Sequence, residues 1–210
     1  MIKKIKTLFL ILFITNGCTS IESSNRVESF NMPINLSSQP RVYLKFNVPE
    51  GFTAHMEDIR NFFLGKSIEI YIRPTPPIND VIFSTLYKTD KVTLPNELYS
   101  VFMLNGGVTL EELIDRYLNI HTTLASQFYI FNKSFKDHGK FKSASGFVEI
   151  RDIDGSVRLI YIEIYSGAPH IAGIVYSEKV KDWLAGEDLM RKAREINNKV
   201  DQNIFFIESQ

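Results

Sequence analysis

Residues 147–176 read FVEIRDIDGSVRLIYIEIYSGAPHIAGIVY. Three apolar runs are separated by two turn signals. Asp152-Ile153-Asp154-Gly155 divides Phe147–Arg151 from Val157–Tyr165, and Ser166-Gly167-Ala168-Pro169 divides that run from Ile171–Tyr176. Asp side chains bond nearby amides and Gly accepts positive φ, so both breaks read as tight reversals. The middle run is the strongest strand signal in the chain. Its β-branched Val157, Ile160, Ile162 and Ile164 suit a pleated surface. Period two places Arg158, Ile160, Ile162 and Ile164 on one face and Leu159, Tyr161, Glu163 and Tyr165 on the other. Runs this short, joined by turns this short, predict an antiparallel meander.

The flanking sequence supplies helices. Thr109-Leu110-Glu111-Glu112 is a capping box, with Val108 and Leu113 placed for a hydrophobic staple. Leu110, Leu113, Ile114, Tyr117 and Leu118 bury one side, and the helix is expected to end near Asn119. After the meander, Ser177 reads as a cap. Val180, Trp183 and Leu184 form one stripe; Leu189, Ala193, Ile196 and Val200 form another. Gly186 lies between them, before the acids Glu187 and Asp188, which suit a helix start. The expectation is a long helix kinked at Gly186, or two short ones, with Ile204–Ile207 adding a strand or covering the core.

Upstream, Arg41–Val48 alternates as a half-buried strand. Phe52, Met56, Ile59 and Phe63 recur at helical spacing, with Thr53 as the cap and Gly65 as the stop. Ile68, Ile70 and Ile72 alternate again. This βαβ-like opening is compatible with a parallel pair. Pro74, Pro76 and Pro77 stiffen a connection. Strands are expected at Asp80–Lys88, Leu98–Leu104 and Leu124–Asn132, with a turn at Asn105-Gly106-Gly107 and a polar loop at Lys133–Lys142. The fold class is α+β: a mostly antiparallel sheet with two helices packed on one face, the C-terminal one long or kinked.

The first eighteen residues, MIKKIKTLFLILFITNGC, carry Lys3, Lys4 and Lys6 before an apolar run. That run is far shorter than the roughly 20 residues of a spanning helix. Thr15-Asn16-Gly17-Cys18 resembles the bacterial lipoprotein signal, in which a small residue precedes a cysteine. The resemblance implies that the Cys18 thiol receives diacylglycerol, that cleavage removes 1–17, and that Cys18 becomes an acylated first residue with palmitate-class chains. Cys18 has no second cysteine to pair with, and two or more acyl chains anchor firmly where one does not. Thr19 in place of Asp leans towards the outer membrane, facing the periplasm, in a diderm cell. Residues 18–40, rich in Ser and Asn, read as a tether, and 41–210 as the globular domain.

The full chain carries 24 basic and 24 acidic residues. Removing the leader's three lysines leaves 21 basic against 24 acidic, a net charge of about −3. There is no basic surplus for nucleic acid. With 44% hydrophobic residues, a core is available, and no later apolar run approaches a second membrane span.

No catalytic, cofactor or metal site stands out. Asp152-x-Asp154-Gly155 resembles the opening of a calcium loop, but Gly155 comes too early and the twelfth position, Glu163, falls inside a strand. A hairpin turn is the better reading. His55, His121, His138 and His170 form no HExxH pair. Ser143-Ala144-Ser145-Gly146 lacks the first glycine of a nucleophile elbow. Tyr43, Tyr71, Tyr161 and Tyr165 recur opposite aliphatic residues, as in a binding face or beneath a covering helix. The expected function is that of a membrane-anchored envelope lipoprotein which binds another protein in an assembly, secretion or inhibitor (immunity) role. The alternatives are an envelope hydrolase acting on peptidoglycan or lipid, and a small-ligand or glycan binder.

Overall fold

The structure is a computed structural model, and it describes residues 27–37, 39–54, 68–74, 96–105, 109–123, 125–167 and 170–209. In chain order the described elements are β1 (Ser29–Asn35), β2 (Arg41–Asn47), β3 (Phe52–Ala54), β4 (Ile68–Pro74), β5 (Glu97–Asn105), α1 (Leu110–Ile120), β6 (Gln127–Asp137), β7 (Lys142–Arg151), β8 (Val157–Gly167), β9 (His170–Val180), α2 (Gly186–Asp201) and β10 (Ile204–Ser209). The fold is α+β. A seven-stranded sheet runs β3-β4-β5-β9-β8-β7-β6, a three-stranded sheet runs β1-β2-β10, and every described pairing is antiparallel. The meander is present: Val148 faces Ile160 across β7–β8, and Ile162 faces Val175 across β8–β9.

Strand β8 shows why the molecule has three layers. Ile160, Ile162 and Ile164 join Val148, Ile150 and Val175 in a core beneath Leu113, Ile114 and Leu118 of α1. Leu159, Tyr161 and Tyr165, on the other face, join a second core with Leu189, Ala193, Ile196 and Val200 of α2 and with Phe30, Met32, Leu44 and Phe46 of the small sheet. The helices therefore pack on opposite faces of the large sheet, not on one. Period two sorts residues into two faces, and both faces here are apolar enough to need a cover. Each fully buried Leu, Ile or Phe contributes on the order of 1.5–3 kcal/mol.

The capping box forms as expected. The Glu112 amide donates to Thr109 Oγ1 at 3.2 Å, and Glu112 Oε2 accepts from the Thr109 amide at 3.3 Å. Other expectations need correction. Ser177 does not cap a helix; it pairs with Leu98 and Ile160 inside β9, which continues to Val180 because the ladder with β8 outcompetes a helical turn. The C-terminal helix is one element starting at Gly186, with Glu187 and Asp188 in its first turn. Lys133–Asp137 is not loop but the second half of β6, polar because the strand lies at the sheet edge.

The tether expected over 18–40 does not extend through 29–35. Phe30, Met32 and Ile34 alternate into the core as β1, and Pro33 is tolerated because β1 is an edge strand. Thr53 lies in β3, opposite Arg73, and does not cap a helix; the remaining positions of that stripe, and Asp80–Lys88, fall outside the described residues. Strands β2 and β4 belong to different sheets, so the opening unit gives no parallel pair.

Candidate protein-binding edge and its aromatic pocket

Strand β6 pairs with β7 on one side, and among the described residues nothing pairs with its other side. Its unpaired edge mixes polar residues with three exposed aromatics. Phe128 is 53% exposed, Tyr129 52% and Phe135 49%. Register places Phe128 opposite Ile150 and Phe135 opposite Ala144, on the α1 face; Tyr129 lies opposite Glu149, on the α2 face. Between Phe131 and Ser134 the register shifts, and Asn132 takes a left-handed φ of 52°. This bulge shortens the flat part of the edge. Such an edge, with free backbone donors and acceptors flanked by aromatics, can receive an extended segment as an added strand.

A pocket of about 430 Å³ opens beside it, between the β6 aromatics and the loop that enters α2. Tyr129, Phe131, Trp183, Leu184, Leu189 and Met190 line it. A ladder of rings runs inward from it. Tyr129 stacks on Phe131 at 5.5 Å, Phe131 on Phe147 at 5.3 Å, and Phe147 lies 4.6 Å from Tyr161. The outer ring is half exposed and the innermost is buried, so one wall of the pocket is held rigid by the core.

The opposite wall is strapped down by one carboxylate. The Leu184 amide donates to Glu149 Oε1 at 2.7 Å, while Glu149 Oε2 is buried without a hydrogen-bond partner. Burial pushes the Glu149 carboxyl above its ordinary range, against the Leu184 hydrogen bond and the charge of Arg151. Arg151 also lies over the Trp183 ring at 5.9 Å. The arrangement offers an apolar slot and a strand edge.

A second concentration of titratable groups has a buried centre, Tyr161, Glu163 and Tyr165, with Lys136 and Asp201 at its exposed margin. Tyr161 donates to Glu163 Oε2 at 2.9 Å. Burial drives the Glu163 carboxyl upward, opposed by hydrogen bonds from Tyr161 and Tyr165 and by Lys136, and assisted by the charge of Asp201. Burial likewise raises Asp201, against Lys136 and Asn197. Tyr161 and Tyr165 are buried in the α2 core, so they are not a binding face; Tyr43 is half-buried, and the side chain of Tyr71 is outside the description.

The other residues singled out from sequence separate in space. Asp152 and Asp154 are occupied within their own turn: Asp154 Oδ1 accepts from the Ser156 amide at 2.9 Å, Asp152 Oδ2 accepts from the Ser156 hydroxyl at 3.2 Å, and Gly155 has a φ of 83°. Hydrogen bonding of Asp154 itself to the Ser156 hydroxyl and to the Ser156 amide holds its carboxyl below the usual range. His138 Nε2 lies 2.9 Å from Ser143 Oγ, and Ser143 is buried at the start of β7, opposite Lys136 and Tyr165, with no carboxylate among the described residues bonded to the pair. His170 begins β9 and His121 closes α1, so neither joins that pair. His55 and Cys18 lie outside the described residues. Among the described residues no three His, Cys, Asp or Glu side chains cluster to hold a metal, and no helix is long and apolar enough to cross a membrane. The run Leu124–Asn132 was legible as a strand, but its position at the sheet edge and the continuation of the strand through Phe135 were not.

Fold and site together define an α+β domain with a mostly antiparallel sheet and one apolar edge left open among the described residues. No family model matches the chain, and no curated protein matches it. Among solved structures the chain is similar to the solution structure of cyanobacterial PsbP (CyanoP) from Synechocystis sp. PCC 6803. The match has a TM-score of 0.48 and 12% identity, covering 90% of this chain and 99% of that one.

Proposed function

We propose that the chain is a membrane-anchored cell-envelope lipoprotein, held at Cys18, whose domain binds another protein in an assembly, secretion or inhibitor (immunity) role. The observation that carries the binding part is the β6 edge, where Phe128, Tyr129 and Phe135 are each about half exposed, Tyr129 lining an apolar pocket on the α2 face and the two phenylalanines lying on the α1 face. Isolated exposed apolar residues need no explanation, but a row of aromatics along an open strand edge marks an interaction surface. The partner presents an extended segment, adds its backbone to β6 and places an apolar side chain against Tyr129, Phe131 and Trp183.

Two measurements separate anchoring from binding. Metabolic labelling with a clickable fatty acid tests the anchor: label on the wild type and none on Cys18→Ala supports it, and equal or absent label contradicts it. Co-purification from detergent-solubilised envelopes tests binding. A stoichiometric partner is expected with the wild type and is expected to be lost in Tyr129→Asp/Phe135→Asp. Equal recovery with that variant removes the edge from the account.

A further inference from the structure

We infer that the outer face of the three-stranded sheet rests on a phospholipid surface and takes anionic lipid headgroups as its ligands. The inference rests on the lipid-anchor reading above and names the second contact that such an anchor makes available. Register places Pro33, Tyr43 and Ile207 side by side, and Asn31, Lys45 and Phe205 beside them, with Arg41 at the margin. Their strand neighbours Phe30, Met32, Val42, Leu44 and Phe46 point the other way and are buried, so this set faces outward. Phe205 is 46% exposed and Ile207 39%. An aromatic and an aliphatic side chain therefore project from the same flat surface.

The charge on this face differs from that of the molecule. The whole chain has zero formal net charge, yet the face carries Arg41 and Lys45 and, among the described residues, no carboxylate. Glu208 sits in register with Val42, on the opposite face, and its carboxylate pairs with Lys140 at 2.6 Å. Two exposed apolar side chains beside two cations, Arg41 and Lys45, with a tyrosine among them, match the interface of an anionic bilayer: the apolar groups enter the headgroup boundary and the cations meet lipid phosphate.

Chain length brings the two surfaces together. Ten residues, 19–28, separate Cys18 from Ser29, the first residue of β1 in this same sheet. Fully extended, ten residues span about 33–36 Å, and a flexible chain of that length averages about 16–19 Å between its ends. The small sheet thus holds the described element nearest the anchor in the chain, and laying its outer face on the bilayer lies within the reach of ten residues. The β6 edge belongs to the other sheet and is left for a protein partner.

The test uses the chain from Thr19, which keeps every residue of both cores. Flotation with phosphatidylglycerol-containing vesicles should show binding that weakens with added salt and is weak with phosphatidylcholine alone. Phe205→Ser/Ile207→Ser should lower the affinity roughly ten-fold or more, and Lys45→Ala several-fold, whereas Ile153→Ser at the exposed β7–β8 turn should change nothing. In full-length protein reconstituted into the same vesicles, a fluorophore at position 207 should be quenched by bromolipids and one at position 153 should not. Failure of the Thr19 chain to bind, equal binding by the paired variant, or no quenching at 207 overturns the inference. So does self-association, lost in the paired variant, that occurs without vesicles; the face would then join two copies. Fatty-acid label on Cys18 without vesicle binding rejects this inference and leaves the anchor, and vesicle binding without label does the reverse.

Discussion

Gly173 and Phe102 compete for one volume. A Cβ on Gly173 would lie 2.1 Å from Phe102 Cζ, and the Phe102 ring is fixed from behind by Tyr117 of α1, stacked at 4.3 Å. The ring is buried and has no room to retreat. Gly173→Ala should therefore cost about 1–3 kcal/mol in denaturant unfolding, as overpacked cores do, and Phe102→Leu should recover part of it in the double variant. Additive losses would show that the two positions do not share this space. Gly167 is placed by the same logic: a Cβ there would fall 2.3 Å from the Ile34 carbonyl oxygen, so its absence lets β1 cross close over β8.

At the same scale, Glu163 predicts a pH dependence. Burial raises its folded-state carboxyl above the ordinary range, with Lys136 and the hydroxyls of Tyr161 and Tyr165 opposing and Asp201 adding to the rise. The folded protein then binds the proton more tightly than the unfolded chain does. Its contribution to stability is complete below the ordinary carboxylate range, about pH 4, and is lost as pH rises through the raised folded value. Thermal melts between pH 5 and pH 8 should show Glu163→Gln gaining on the wild type as pH rises. Parallel melting curves across that range would contradict this assignment.

At the scale of elements, the loop before α2 depends on Glu149. Residues 181–185 are not helical, and residue 185 caps α2 without a side-chain bond, so the Leu184 amide held by Glu149 helps fix the entry to the helix and one wall of the pocket. Glu149→Ala should cost about 1–3 kcal/mol, the range for a buried donor left without its partner. It should also speed hydrogen exchange at the Leu184 amide, while Glu149→Gln keeps the acceptor and most of the protection. Unchanged exchange in Glu149→Ala would show that the loop is held by packing alone. Strands β7, β8 and β9 and the cap of α1 were legible because each carries a local signal: alternation, turn chemistry or a capping box. The first half of β9 was readable and Ser177–Val180 was not, since side-chain periodicity there suits a helix equally well and only the ladder to β8 decides. Strand β1 was missed although Phe30, Met32 and Ile34 alternate, because Pro33 and the surrounding Ser and Asn carry the composition of a linker.

On the scale of the whole molecule, the three layers follow from β8 being apolar on both faces. The sequence shows two apolar faces but does not say that α1 takes one and α2 with the small sheet takes the other; that follows from long-range pairing. Edges are hidden for the same reason. Phe128 and Tyr129 fall in the strand expected at Leu124–Asn132 and Phe135 in the loop expected at Lys133–Lys142, and no local signal says that β6 is the last strand of the described sheet. The candidate site was therefore less legible than the fold: its residues were visible, but their exposure depends on strand order. Among the described residues, the carboxylates and histidines considered for catalysis lie apart, in a turn, in the core or at element ends, while the open edge and its pocket carry the exposed aromatics on which the proposed binding rests.

Site-specific photo-crosslinking along β6 in intact envelopes tests the binding account most directly. With the photoreactive residue at 128, 129 or 135, one discrete adduct is expected, fading when Phe131→Asp disrupts the pocket wall, and none is expected from position 153 at the exposed β7–β8 turn. Absence of any adduct from the three edge positions, or an adduct from 153 alone, would contradict it.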